Sequence, residues 1–173
     1  MKKAIWSRIH LDKTDKELSL LFYDCVSDLL EKDMIANLDN FTQHKGTSRL
    51  QHSLNVAYYS FLICLRLRLD YKSAARGGIM HDLFLYDWRE ETKSAKLHMS
   101  AHPRAAFENA MKITNLNKKE ADAILNHMWP MTPRPPRFVE SHIVSLADKF
   151  CTCAEVIDSY KVRVVRVLRP ANG

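Results

Sequence analysis

Apolar positions in this chain recur three and four residues apart along most of its length, the period of amphipathic helices rather than of strands. Leu18, Leu21, Phe22, Cys25, Val26 and Leu29 share one helical face, and Thr14-Asp15-Lys16-Glu17 ahead of them reads as a capping box. A short piece over residues 34–41 leads to a long helix that opens near Thr47-Ser48 and reaches about residue 69. One stripe of it holds Leu50, Leu54, Ala57, Phe61 and Leu65, and another holds His52, Val56, Tyr59 and Ile63. The next helix is expected over about 72–86. Gly77-Gly78 falls inside it at a cost of about 1 kcal/mol each relative to Ala, so another backbone is expected to approach closely one turn before His81.

Residues 87–100 read as a polar loop. Pro103 suits the first turn of a helix running to about residue 113, where its missing N–H would be orphaned anyway. Asn117-Lys118-Lys119-Glu120 is a second cap signal, with Ala121, Ile124, Leu125 and Met128 inward behind it and His127 near the helix end. Pro130, Pro133, Pro135 and Pro136 then make residues 129–137 an extended loop. The last helix runs from about Glu140 through Ile143, Val144, Leu146, Ala147, Phe150, Cys151, Ala154 and Ile157, with Asp148 and Lys149 mid-element. No repeat interrupts this series, and the expectation is an all-α bundle in a single domain.

Composition agrees. A chain of 173 residues fits one domain, and 46% hydrophobic residues with only 4 glycines favour helices over many short strands. Cys25, Cys64, Cys151 and Cys153 have neither the number nor the spacing of a disulfide framework, so reduced thiols are expected. Met1-Lys2-Lys3 is followed by Trp6, Arg8, His10 and Asp12 rather than an apolar core, which is not a secretory signal and points to the cytoplasm. The most apolar run, residues 56–65, is too short for the about 20 residues a membrane span needs. Much of the net charge of +6 sits in a basic tail, residues 161–173, with Lys161, Arg163, Arg166 and Arg169. No aromatic residues interleave with these cations as stacking on bases requires, so the tail reads as solvated or packed on a partner, and nucleic acid is disfavoured.

The candidate chemistry centres on His81-Asp82, with His52, His102, His127 and Asp148 at intervals suited to separate helices. Imidazole nitrogen and carboxylate oxygen are the donors that divalent cations accept, and adjacent His and Asp offer one ion a neutral and an anionic ligand. Asp148 stands in an apolar helix, where an isolated carboxylate is costly unless paired or metal-bound; the alternative is an exposed ion pair. Taken singly, His52 or His127 reads as a core histidine bonded to a carbonyl. His98 and His102 have the i, i+4 spacing of a helical metal clamp, but Pro103 argues against a helix shared over 98–102. His10, His44 and His142 have no supporting pattern, although His142 lies close enough to Asp148 to meet a substrate.

The set resembles the HD-domain metal-dependent phosphohydrolases, whose skeleton is His, then His-Asp, then a late Asp on a helical bundle. Here it reads Arg49-Leu50-Gln51-His52-Ser53, Gly78-Ile79-Met80-His81-Asp82-Leu83 and Val144-Ser145-Leu146-Ala147-Asp148-Lys149, and the likeness covers residues 44–157. The resemblance implies that His52, His81, Asp82 and Asp148 hold a first divalent metal. His102 and His127 are similar to the intermediate histidines of the dinuclear subset, which implies a second ion bridged by Asp82; Fe, Mn, Mg, Ni, Co and Zn all suit these donors. Two such cations would activate a bridging water and neutralise phosphoryl oxygens. Asp82 and, from their positions in the chain, Arg49 and Lys149 are the candidate catalytic residues. Arg49, one turn before His52, and Lys149, next to Asp148, are placed to reach a phosphate, with a solvated charge as the alternative for each. Arg134 and Arg137 are weaker candidates in a loop that would cap the pocket.

The implied activity is hydrolysis of a phosphate ester or anhydride of a nucleotide or similar small metabolite. The six-ligand order resembles the enzymes that split symmetrical dinucleoside polyphosphates, whereas the Gly-Tyr-Pro motif of the family's cyclic-dinucleotide phosphodiesterases is absent. A metal-binding sensor or scaffold without turnover, a nucleic-acid-binding helical domain using the basic tail, and a di-iron oxygenase are the alternatives, and a homo-oligomer stays open.

Overall fold

The computed structural model describes residues 4–5, 17–44, 46–87 and 95–168, with the side chains of 44, 95–98 and 161–168 excepted. Helices hold most of the described residues, against one strand of three residues and one of two, so the class is all-α. The order is α1 (Glu17–Leu30), α2 (Asp33–Ala36), a 3-10 turn (Asn37–Asn40), β1 (Thr42–His44), β2 (Thr47–Ser48), α3 (Arg49–Arg66), α4 (Tyr71–Met80), α5 (Ala95–Ile113), α6 (Lys118–Asn126) and α7 (Val139–Leu168). The strands pair antiparallel, Thr42 with Ser48 and His44 with Thr47. The capping box expected at Thr14 lies outside the described residues.

The helix starts follow the sequence where a side chain can satisfy orphan backbone donors. Ser48 accepts from the Gln51 N–H at 3.3 Å, and Asp70 from the Ser73 N–H at 3.0 Å. Asn117 accepts from the Lys119 and Glu120 N–H groups while Glu120 accepts from the Asn117 N–H, which is the expected capping box. Two apolar clusters hold the bundle. The larger joins Phe22, Val26 and Leu29 of α1 to Leu54, Tyr58 and Phe61 of α3 and to Ile79 and Met80 of α4. The smaller uses Val56, Cys64, Ala74, Ala123, Val144, Ala147 and Cys151, mostly small side chains, and so brings α3, α4, α6 and α7 close together. Arg76 fastens three helices from within: it donates to Glu120 of α6 at 2.9 Å and to Asp28 and the Cys25 carbonyl of α1 at 2.6 and 3.2 Å.

The glycine pair does what its cost implied. A Cβ on Gly78 would stand 2.6 Å from the Ala57 Cα, and one on Gly77 would stand 2.9 Å from the Ala123 Cβ. Contacts that short do not occur, so α3 and α6 both close on α4 only because these side chains are missing.

Three expectations are corrected. The fourth helix stops at Met80 instead of near residue 86, with turn bonds from the Leu83 and Phe84 N–H groups to the Met80 and Asp82 carbonyls. Consecutive residues of a continuing helix point about 100° apart, so the break lets His81 and Asp82 serve one centre. Residues 95–100 are helical rather than loop, and Pro103 is inside α5 instead of in its first turn. His98 and His102 therefore share a helix after all; burial of His102, Ala106 and Ala110 outweighs the backbone bond that proline removes. Finally, Leu125, expected inward, is 36% exposed, and α7, on which Leu146, Phe150 and Ile157 are 65, 43 and 44% exposed, runs on through residue 168 into the basic tail. No helix among the described residues is long and apolar enough to cross a membrane.

Candidate metal centre

Five elements contribute to one buried place. His52 comes from the middle of α3, His81 and Asp82 from the turn ending α4, His102 from α5, His127 from the end of α6 and Asp148 from α7. None is more than 9% exposed. Their donor atoms fall into two groups, His52 with His81 and Asp148, and Asp82 with His102 and His127, the atoms within each group lying inside 4.8 Å of one another.

The Asp148 Oδ1 stands 3.2 Å from the His52 Nε2 and 3.8 Å from the His81 Nε2. The Asp82 Oδ1 stands 3.3 Å from the His102 Nε2 and 3.5 Å from the His127 Nε2. Its other oxygen, Oδ2, is 3.6 Å from the His81 Nε2. Asp82 thus turns one oxygen to each group. Two donors about 2.1 Å from a shared ion stand roughly 3.0–3.4 Å apart at angles near 90–109°, close to most of these separations.

The far side of the rings fixes which nitrogen points inward. The Nδ1 of His81 donates to the Gly78 carbonyl and that of His127 to the Ile124 carbonyl, both at 2.8 Å. Carbonyls only accept, so both rings carry their proton on Nδ1 and aim the Nε2 lone pair at the centre. His52 is held likewise, its Nδ1 3.0 Å from the Glu155 carboxylate. Outer partners of this kind accompany metal-binding histidines. The His102 and His127 Nε2 atoms face each other at 2.9 Å, and the buried His81 Nε2 and Asp82 Oδ1 have no hydrogen-bond partner among the described residues. Buried polar atoms left so cost about 1–3 kcal/mol each; a cation would satisfy both, so the residues fit the metal that the sequence implied.

The electrostatics point the same way. Burial disfavours charge on His52, but its bonds to Asp148 and Glu155 outweigh that and push the imidazole up to about 10. Burial and the neighbouring His81 and His102 push His127 down to about 3, the behaviour of a ring kept neutral. Burial would raise the carboxyl groups of Asp82 and Asp148, but the surrounding histidines win and hold both below the usual carboxylate range. The two carboxylates stay anionic beside the neutral His127 ring, and the proton that His52 holds between Asp148 and Glu155 stands where a cation would take its place.

Arg49 departs from its expected place. It is fully buried, stacks 3.6 Å over the Phe84 ring, and donates to the Phe84 carbonyl at 2.5 Å and to the Gln43 Oε1 at 3.0 Å. Gln43 in turn donates to the Asp82 Oδ2 at 2.6 Å, so Arg49 is connected to the centre through Gln43. Lys149 lies at the rim with a side chain 27% exposed. It donates to the His127 carbonyl at 2.7 Å and lies 3.4 Å from the Asp148 Oδ2.

Glu155, Asn55 and Gln43 were missed by sequence reasoning. Glu155 follows Asp148 by two helical turns in the same apolar run, and the argument that singled out Asp148 applies to it equally; Asn55 supports it, donating at 2.8 Å. Gln43 comes from the hairpin and had no sequence signal. Arg134 and Arg137 line a different cleft beside α6, with Lys118, Leu125 and Phe138. His142 packs edge-on against Trp129 with ring centroids 5.5 Å apart. His10 lies outside the described residues, as do the side chains of His44 and His98.

The arrangement has a counterpart among known families. The HD domain model matches residues 49–153, a span running from just before the first histidine of the centre to just beyond the last aspartate. No curated protein and no solved structure matches the chain. With well over half of its length matched and the motif residues gathered in the fold, the chain belongs to the HD domain family, within the HD metal-dependent phosphohydrolase superfamily.

Proposed function

We propose that this protein is a metal-dependent phosphohydrolase acting on a phosphate ester or anhydride of a nucleotide or similar small metabolite. The observation that carries this reading is the convergence of four imidazole Nε2 atoms and two carboxylates in two adjoining groups joined by Asp82. When bound there, divalent cations would activate water for attack on phosphorus and offset charge on the phosphoryl oxygens. His52, His81 and Asp148 would hold one ion, His102 and His127 a second, and Asp82 both. Asp82 is restrained by Gln43 and, behind it, by Arg49, so its two oxygens keep separate tasks. Lys149, at the open side beside Asp148, is placed to bind an anionic phosphoryl group. Burial of the six residues excludes bulk water and strengthens each of these interactions.

The test is elemental analysis of the purified protein, then activity on a panel of nucleotides, polyphosphates and simple phosphoesters with each reconstituted metal. A chelator is expected to abolish turnover and re-addition of one metal to restore it. Bound metal with no hydrolysis across the panel would favour a sensor or scaffold instead.

Glu155 offers a separate check on the ligand assignment. Glu155→Gln keeps the volume while loosening the acceptor that orients His52, and such outer-partner changes cost about 10–100-fold in metal affinity. Competition against a chromogenic chelator should show a loss in that range; unchanged affinity would remove Glu155 from the site.

A further inference from the structure

α7 is apolar on two adjoining faces, with centres about 120° apart. Val144, Ala147, Cys151 and Ala154 face the core. On the other face Val139, Leu146 and Ile157 are 57, 65 and 44% exposed, and Cys153 is exposed between them. Phe150, which meets the Tyr59 ring, and Tyr160 lie on the same stripe and are still 43 and 51% exposed. From Leu146 to Tyr160 the spacing alternates four, three, four, three, and the sequence continues it to Val164 and Val167. At 100° per residue these positions form a band about 100° wide. A helix that packs only on its own domain needs one apolar stripe. A second, narrow one with this alternation is the seam of a two-helix contact.

Length and area agree. Thirty residues make α7 about 45 Å long, whereas Glu155 is its last buried residue among the described side chains and the HD domain match ends at residue 153. The continuation is rich in valine, a modest helix former that favours helix chiefly when packed. Five large side chains exposing about half of the roughly 200 Å² each offers amount to about 500 Å² per chain, most of the about 800 Å² per partner in a standard interface. A seam of this kind is self-complementary, as a two-fold contact between identical chains requires. A membrane surface would call for a broader apolar face on a helix lacking protein behind it.

We propose that two copies of this chain dimerise through the exposed stripe of α7. The helices run antiparallel: Lys161, Arg163 and Arg166 near both C-terminal ends would repel one another side by side, and antiparallel packing separates them. Cys153 is midway between Val139 and Val167, so it meets its counterpart in the second copy at the centre of the seam.

Sedimentation equilibrium of the full chain should give twice its 20.1 kDa mass. Leu146→Glu with Ile157→Glu, both at exposed positions, should raise the dissociation constant at least about 100-fold with helix content and hydrolytic rate unchanged. Mild oxidation should link the dimer through Cys153, since the other three cysteines are buried, and Cys153→Ser should abolish the link. A monomer at about 100 µM, well above the micromolar Kd of a weak interface, overturns the proposal. So does a dimer indifferent to the double substitution, or a monomer that binds anionic lipid vesicles through α7. A dimer that never links through Cys153 overturns the antiparallel register.

Discussion

Replacing Asp82 by alanine is expected to remove bound metal and turnover together while helix content stays near that of the parent. One of its oxygens stands among His102 and His127 and the other faces His81, so a single substitution takes an anionic donor from both groups. Outer partners of metal ligands cost about 10–100-fold when changed, and loss of a shared inner carboxylate is expected to exceed that range in both metal affinity and kcat/KM. The fold does not depend on this side chain in the same way. Asp82 follows the end of α4 and belongs to neither apolar cluster, and removing a buried carboxylate also removes a desolvation cost. Circular dichroism should therefore change little. The melting temperature gives an independent reading: a ligand that binds only the native state stabilises it, so chelation should lower the Tm of the parent and leave that of Asp82→Ala nearly unmoved. A variant with full metal content and parental rate would end the assignment of this carboxylate.

Gly78→Ala is expected to be the most destabilising of the single-methyl changes in the core. Two effects oppose each other. Alanine favours the helix by about 1 kcal/mol, whereas the new Cβ would lie 2.6 Å from the Ala57 Cα and 2.8 Å from the Ala57 N. Those are backbone atoms of the central helix, which no side-chain rotation can clear. Overpacking costs about 1–3 kcal/mol and sometimes more, and a backbone clash belongs at the upper end, so the clash wins by roughly 2 kcal/mol. For a chain of this size that corresponds to a fall in Tm of about 4–8 °C. Separating α3 from α4 also moves His52 away from His81, so metal affinity should fall with stability. A Tm at or above that of the parent would mean that α3 and α4 do not meet at Gly78.

The centre was legible in sequence because its donors are of few residue types, stand at helix ends or in apolar runs, and are costly to bury for any other purpose. His52, His81, Asp82, His102, His127 and Asp148 needed only their chemistry and spacing to be nominated. Their supports were not legible to the same degree. Arg49 looked like a residue for phosphate, and its stacking on Phe84 depends on a turn distant in sequence, while its bond to Gln43 depends on the fold-back of the hairpin just ahead of α3. Glu155 carried the same signal as Asp148, a carboxylate in an apolar run, but its partners His52 and Asn55 lie about a hundred residues away.

What the chain determined by itself is the helical class, the caps at Ser48 and Asn117, the reason for Gly77-Gly78 and the six donors, all of which rest on local periodicity, backbone donors or side-chain chemistry. Only tertiary packing decided that α4 ends before His81, that α5 continues through Pro103, and that Leu146, Phe150 and Ile157 face away from the core. Each of those outcomes weighs a local preference against burial and contacts with distant segments, and the period of a helix states that it has an apolar face without stating which neighbour will cover it.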